Sequence, residues 1–456
     1  MRKVKPDLLH GVIWQQILLF FFPVLFGTLF QQLYNTVDTI VVGNFVGKQA
    51  LGAVGGSTGT VINLLVGFVT GLSSGATVVI AQYYGSGERD GVEKGVYSGM
   101  FLAIFLGVLL MFVGIFGAGG MLHLLNVPAD IYPLSLTYMR IYMIGMIPTM
   151  IYNTGAGVLR AAGDSKRPLY FLIIACITNI ILDILFVALL GLGVTGVAAA
   201  TLFSQLISCL FVLYTLRNTD ESYHFELKNL HYDRAVLRRI ILIGLPSGLQ
   251  SCLYSVSNLF IQAGVNSFGT DTVAAYTAFG KIDALFWNSS GALGTSLLTF
   301  TGQNFGAGNI KRVRRGILEG TILFLIICGV MTGICYFGGP VLLRLFTPDA
   351  EVNRIGLAIL RYICPLWFTF VFVEVLSSSI RACGDTFFPM LMTALGIGLL
   401  RIVWILMYPA ATIFDTLRCY PISWAVTSIL FLGYYFQGGW LKRSLGVREQ
   451  MFAAKS

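Results

Sequence analysis

Twelve separated apolar runs, each long enough to cross a bilayer, constrain this chain more than any other feature. They lie at roughly 14–42, 51–82, 95–117, 133–159, 169–190, 194–216, 241–265, 274–302, 317–338, 356–382, 388–412 and 422–441. A helix needs about 20 such residues to span the hydrocarbon layer, so the expected fold is an all-α polytopic membrane protein of about twelve transmembrane helices. A soluble core has no use for this much apolar material: 56% of the 456 residues are hydrophobic, 11% are charged and the mean hydropathy is +0.79. The first run follows Met1-Arg2-Lys3-Val4-Lys5. It is too long for a signal-peptide core and lacks a clear small-residue cleavage site, so it is read as a retained helix.

An even helix count puts both termini on one side, and the basic residues choose the side. About 22 of the 30 Lys and Arg fall in one set of loops, among them Arg238, Arg239, Lys311, Arg312, Arg314 and Arg315. The opposite set holds Lys48, Arg344, Arg354 and Arg418. Both termini are therefore expected in the cytoplasm, with the chain a multi-pass protein of the inner or plasma membrane. This topology accounts for the formal charge of +9, and no nucleic-acid partner is expected. The cysteines (Cys176, Cys209, Cys252, Cys328, Cys335, Cys364, Cys383 and Cys419) lie mostly singly in apolar runs. They imply neither a disulfide framework nor a metal site.

The chain also repeats itself. Arg160-Ala161-Ala162-Gly163-Asp164 with Pro168 recurs as Arg381-Ala382-Cys383-Gly384-Asp385 with Pro389, a shift of 221. Gln82-Tyr83-Tyr84-Gly85-Ser86-Gly87 recurs as Gln303-Asn304-Phe305-Gly306-Ala307-Gly308 at the same shift, as do Gly95 with Gly316 and Arg140 with Arg361. Pro23 pairs with Pro246 and Asn35 with Asn258 at a shift of 223. Two pseudo-symmetric six-helix lobes follow, 1–220 and 221–456, joined by a cytoplasmic linker at 217–240. Six helices per copy gives both lobes one orientation, with substrate expected near their interface. His224 and His231 in the linker are read as solvated, since nothing nearby completes a metal site.

Polar residues inside the runs are the candidate functional groups, because an ionisable side chain at membrane depth is costly and normally faces a bundle interior or a wet cavity. Asn179 and Asp183 are four apart and share one helix face. Gln31, Asn35 and Asp38 form a stripe on the first helix, above the bend expected at Pro23. Thr201, Gln205 and Ser208 form another on the sixth. The first and fifth helices both run outward, so Asp38 and Asp183 fall at similar depth and can meet. A plainer reading of Asn179 and Asp183 is a polar pair that glues two helices. The second lobe keeps the stripe Gln250, Tyr254, Asn258 and Gln262. At the positions matching Asp38 and Asp183 it has Ile261 or Gln262, and Trp404, so the acid pair belongs to the first lobe alone. Glu374, with Asn153 as its mate, and Lys281 with Asp283 are further charges in the runs. Lys281, Asp283, Arg140 and Arg361 also suit an interfacial, snorkelling role. Trp287 is a candidate pocket-lining aromatic, although aromatics at such positions often serve packing.

The paired six-helix repeats, the Asn-Thr-Val-Asp-Thr-Ile-Val-Val-Gly of 35–43, the twinned Gln-x-x-(Phe/Tyr)-Gly-x-Gly turns and the twinned Arg-Ala-x-Gly-Asp turns resemble the multidrug and toxic compound extrusion (MATE) family over essentially the whole chain. The resemblance implies a V-shaped pair of lobes exporting organic, often cationic compounds in exchange for protons or sodium. It makes Asp38 the family's first-helix aspartate. Asn179 and Asp183 match the fifth-helix pair of the DinF-like branch, where a first-lobe site handles the coupling ion, with Tyr138 and Thr201 as further members. The NorM-like branch has an acid in the seventh helix where Ser255 stands here, and Glu374 aligns poorly with that branch's tenth-helix acid, so a second-lobe sodium site is not expected.

The expected mechanism is proton-coupled antiport by alternating access. Burial and like-charge repulsion both oppose two ionised carboxylates side by side, so Asp38 and Asp183 titrate as a pair. A proton on the pair and a cationic substrate that needs its charge then exclude one another. The ion-coupling set is Asp38, Asp183, Asn179, Tyr138 and Thr201. The substrate-cavity set is Gln31, Asn35, Asn153, Asn258, Gln262, Asp283, Trp287 and Glu374. No cofactor is expected beyond the coupling ion, H+ or alternatively Na+, and a monomer is expected. Rival readings are a sodium-coupled exporter and a flippase for a lipid-linked cell-envelope precursor, which calls for several cationic residues facing the cavity. An enzyme is not expected, because no His-Glu-x-x-His, Gly-x-Ser-x-Gly or paired metal-ligand spacing occurs. Gly43 to Lys48 lacks the spacing and Ser/Thr of a P-loop, which disfavours a primary pump. A channel fits the repeats and off-axis acid pair less well than alternating access does.

Overall fold

The computed structural model describes residues 7–408 and 410–453, so the expected cytoplasmic cations Arg2, Lys3 and Lys5 lie outside the described residues. Twelve helical spans follow in order: α1 Ile13–Val46, α2 Lys48–Ser86, α3 Arg89–Leu124, α4 Tyr132–Ile144 with Met146–Ala161, α5 Lys166–Leu189, α6 Gly193–Arg217, α7 Arg234–Asn266, α8 Thr270–Gly306, α9 Ile310–Arg344, α10 Ala350–Ala382, α11 Phe387–Met407 and α12 Ile413–Gln437. A last helix, α13, covers Gly439–Ala453. No strand occurs among the described residues. Ten spans are long and apolar enough to be recognised by hydropathy alone. The eleventh is α4, bent by 44° at Gly145. Pro148 explains the bend, since it has no N–H to offer the carbonyl of Ile144 four residues back. The twelfth is α8, whose second half buries Ser289, Ser290, Ser296, Thr299, Thr301, Gln303 and Asn304. Polar side chains turned inward, rather than to lipid, keep its hydropathy low.

Several helices overrun the apolar windows that announce them. A window reports where lipid begins, whereas a helix ends where its terminal backbone groups find caps. Thus α9 starts at Ile310, capped by Asn309, which accepts from the Arg312 N–H at 3.3 Å. The helix of α10 starts after Asp349, which accepts from the N–H groups of Glu351 and Val352 at 2.9 Å each. A Thr412/Asp415 capping box starts α12.

By packing, the chain divides into a first unit containing Phe22–Gly248 and a second containing Asp7–Phe21 and Leu249–Ser456. Both crossings lie within two residues of the repeat-mate prolines Pro23 and Pro246, so α1 and α7 each contribute to both units. The repeat boundary near 220 and the packing boundary at Gly248 therefore measure different things. In the second unit, Asn304 Nδ2 and Arg312 Nε donate to the Leu8 carbonyl at 3.0 and 3.3 Å, tying down the segment before α1. In the first, the 217–240 linker holds a short 3-10 turn at Leu227–Asn229 and the start of the next helix. Helix α7 already begins at Arg234, and the intervening chain lies on α3: Tyr223 and Phe225 are buried, Phe225 meets Tyr97 at 5.1 Å, and His231 stacks on the same ring at 4.3 Å.

Within the first unit α2 and α7 cross through two Gly-x-x-x-Gly pairs, Gly71/Gly75 and Gly244/Gly248. A methyl at Gly71 would stand 2.6 Å from the Gly248 Cα and from the Ser247 carbonyl, so backbone meets backbone and nothing flexible can yield. Gly71→Val is expected to destabilise the protein by about 1–3 kcal/mol through overpacking, read as a lower melting midpoint in detergent. Gly280→Ala, at a position with nothing within 4 Å, is expected to leave the midpoint unchanged or raise it.

Candidate functional site

The first unit assembles the expected acid pair. On α5, Asn179 and Asp183 are both fully buried, and on α1 Asp38 is 5% exposed. The Thr201 hydroxyl of α6 donates to Asp38 Oδ2 at 3.4 Å. Asp183 and Asn179 come within hydrogen-bonding reach of Asp38, a contact that becomes a bond between the carboxylates only when one of them holds a proton. Tyr138 of α4 is buried beside both acids. The structure thus brings together all five residues of the ion-coupling set. Gln31 and Asn35 share the stripe but are exposed, and neither reaches the cluster.

Sequence reasoning missed Tyr34 and Tyr142, which also stand against Asp38, Tyr34 contacting Thr201 and Tyr142 contacting Gln205. Their spacing was the available signal: Tyr34 is one turn before Asp38 and Tyr142 one turn after Tyr138. Both acid-bearing helices loosen just past their acid. α1 widens to π-helical turns over Val42–Val46 and leaves at Gly47, whose φ of +106° favours glycine, while α5 widens over Ile184–Leu189. Such irregular turns concentrate at functional sites.

The cluster's polar balance is incomplete. Asp38 Oδ1, both oxygens of Asp183 and both polar atoms of Asn179 are buried and make no well-formed hydrogen bond while both acids are ionised, although Asp183 and Asn179 stand within reach of Asp38. An unmet buried polar group costs about 1–3 kcal/mol. Among the described residues no Lys, Arg or His forms an ion pair with either carboxylate. The arrangement leaves acceptor atoms open around two carboxylates.

The second unit sorts the remaining candidates differently. Asp283 is held by two indoles, with Trp287 Nε1 donating to Oδ2 at 2.7 Å and Trp367 Nε1 to Oδ1 at 3.1 Å. Trp287 is therefore an anchor for Asp283, packed edge-on against Phe286, Phe370 and Trp424. Glu374 accepts from the Ser378 hydroxyl at 3.2 Å and lies in the field of Arg381, two helix turns from it. Its mate Asn153, in the first unit, donates to the Thr149 carbonyl of its own helix. Gln262 donates to Asn266. Lys281, Arg140 and Arg361 are exposed, the last over the Tyr336 ring.

Asn258 accepts from Arg401 Nη1 at 3.2 Å, and this cation too was missed. The signal was plain: Arg401 is the lone charge in the 388–412 run.

Twelve helices in two repeats, with charged groups buried at membrane depth, define the class as a helical membrane transporter. A model of the MatE family matches residues 23–185 and 246–407, one match per repeat, and the chain belongs to that family, the multidrug and toxic compound extrusion transporters. It is 30% identical over 412 residues, 90% of each chain, to the probable multidrug resistance protein YpnP of Bacillus subtilis (strain 168). It is 28% identical over 456 residues, 97% of this chain and 96% of the relative, to the probable multidrug resistance protein YoeA of the same strain. Among solved structures, the outward-facing conformation of a multidrug resistance MATE family transporter of the MOP superfamily shares the fold with a TM-score of 0.89, covering 97% of this chain and 100% of that one at 23% identity.

Asp183→Asn replaces one of two facing carboxylates with an amide whose N–H groups meet Asp38. It is expected to stabilise the protein by about 1.5–3 kcal/mol, the worth of a hydrogen bond to a charged group, seen as a raised melting midpoint in detergent at pH 8.

Proposed function

We propose that this protein is a secondary active multidrug exporter of the DinF-like branch, driving organic, often cationic compounds out of the cell by antiport with protons at Asp38 and Asp183. The observation that carries this reading is the cluster of five unpartnered buried polar atoms around two carboxylates without a basic counter-ion. A proton arriving on Asp183 supplies a donor for the unpartnered Asp38 Oδ1 and removes one negative charge at the same moment. Thr201 keeps Asp38 Oδ2 engaged in both states. Asn179, fixed one turn before Asp183, offers its amide to whichever oxygen is left. A protonated pair is thus better bonded than an ionised one, while a cationic substrate prefers the ionised pair. This opposition is the coupling free energy that antiport requires.

The names of the relatives, probable multidrug resistance proteins, support export of drugs as the task. The excess of Lys and Arg in one set of loops supports a cell-membrane protein with both termini in the cytoplasm. A monomer suffices, because the repeat provides two lobes within one chain. Sodium is the second reading, favoured by the donor set itself: two carboxylates, the Asn179 carbonyl and the Thr201 hydroxyl are all oxygen ligands suited to a hard cation.

Proteoliposomes with an imposed pH gradient and no sodium separate these readings. The wild type is expected to export a cationic dye, and Asp183→Asn to lose about tenfold or more, as befits loss of a charged contact worth about 1.5–3 kcal/mol. Equal export by the folded mutant would make Asp183 structural glue. Export that awaits added sodium would replace the proton by sodium at the same residues.

A further inference from the structure

The second unit buries a guanidinium with no counter-ion. Arg401 of α11 is 1% exposed, and among the described residues it forms no ion pair. A cation at membrane depth is expensive, and proteins ordinarily pair it with a carboxylate. Here its partners are neutral. Nε donates to the Ser423 hydroxyl of α12 at 3.0 Å and Nη1 to the Asn258 amide oxygen of α7 at 3.2 Å, while Nη2 has no partner. The plane lies over the Tyr420 ring at 4.6 Å and near the Trp424 ring at 6.0 Å. Tyr420 is in turn fixed by the hydroxyl of Tyr276 at 2.9 Å. Aromatic faces and two single acceptors thus orient the fork without neutralising it.

The acid whose field reaches Arg401 is Asp283. Both of its oxygens already accept from indoles, and it does not reach ion-pair distance. The fork's cover is Asn258, itself exposed, so a ligand displaces one amide to reach Nη1 and Nη2 together. Helix α11 widens to π-helical turns over Ala394–Leu399, ending two residues before Arg401. The same irregularity accompanies both acids of the first unit.

We propose that Arg401 is a receptor for an anionic group, a carboxylate or phosphate, carried by the exported compound, with Asn258 as its displaceable cover. Bidentate pairing along one edge of the fork is the geometry for which a guanidinium is suited. The preferred substrates are then organic compounds that bear an anionic group, including amphoteric ones. This rests on the exporter reading.

Two dye pairs test it. Rhodamine 123 and rhodamine 110 share a cationic aromatic core and differ in that the second bears a free carboxylate. Riboflavin and flavin mononucleotide differ by a phosphate. Equilibrium binding to the purified full chain, by fluorescence polarisation, is measured for wild type, Arg401→Gln, Arg401→Lys and Asn258→Asp. In the wild type the anionic member of at least one pair is expected to bind more tightly than its mate. In Arg401→Gln that preference falls about tenfold, the scale of one charge-assisted contact, and Arg401→Lys restores part of it. Asn258→Asp keeps the cation but supplies an internal carboxylate, so it also abolishes the preference and covers the case in which Arg401→Gln does not fold. The pair that responds tells carboxylate from phosphate.

A preference that is absent in the wild type, or unchanged in Asn258→Asp and Arg401→Gln, overturns the proposal and leaves Arg401 as a tie between α7, α11 and α12. Loss of the wild-type preference when the protein is reconstituted in phosphatidylglycerol vesicles, but not in phosphatidylcholine vesicles, assigns the fork to a lipid headgroup and likewise overturns it. Rhodamine 123 export under a pH gradient is scored separately: its failure strikes the exporter reading, whereas the binding ratios decide on Arg401.

Discussion

In a bilayer there is no water to complete an unfinished hydrogen bond, and that constraint shapes every part of this molecule. It makes the backbone helical, and it turns the Ser, Thr, Asn and Gln of α8 away from lipid into the second unit. It also gives meaning to polar atoms left without partners. In a soluble protein a carboxylate oxygen without a partner is usually satisfied by solvent. At Asp38 Oδ1 and Asp183, both buried, the deficit stays open, and it is on this deficit that the proposed coupling rests.

The scaffold around those deficits is rigid where it needs to be. The glycine crossing of α2 and α7 brings two backbones into contact, and the linker is strapped to α3 by Tyr97 and Ser98 rather than left loose. Irregular geometry is placed elsewhere, in the π-helical turns after Asp38 and Asp183 and before Arg401. Wide turns satisfy their backbone less well than an α-helix does. They are the positions at which the helices depart from regular pitch, and each lies beside a buried charged group.

Much of this was legible in one dimension. A span announces itself by length and apolarity, and a charge inside it is conspicuous, so the twelve helices and the acid pair could be read from the sequence. The repeat carried the lobes, because Pro23 and Pro246 or Asp164 and Asp385 need no structure to be aligned. Contacts between helices were not legible. Tyr34 and Tyr142 are two of 20 tyrosines, and their one-turn spacing from Asp38 and Tyr138 becomes a signal only once those two residues are known to meet. Trp287 looked like a pocket wall and is an indole holding Asp283 one turn back on the same helix, while the second indole, Trp367, joins them only once α8 and α10 are packed. Arg401 is a different kind of omission. Comparing repeats directs attention to what replaces Asp183, which is Trp404, and one turn away from that position the new charge goes unnoticed.

The contrast between the halves then takes a definite form. The repeats share helices, prolines and the charged Arg-Ala-x-Gly-Asp turns, but not Asp38, Asp183 or Arg401. Among the described residues, the first unit buries two carboxylates that no cation pairs with, and the second buries a guanidinium with no ion-paired carboxylate. Had each unit neutralised itself internally, both would be inert struts, since a satisfied buried ion pair has nothing left to offer a ligand. Leaving each charge open is destabilising, and it persists here at two independent places with opposite sign. A chain selected for stability alone would close both. One selected to pick up and release charged cargo has to keep them open, because only an unfinished site can tell a loaded state from an empty one.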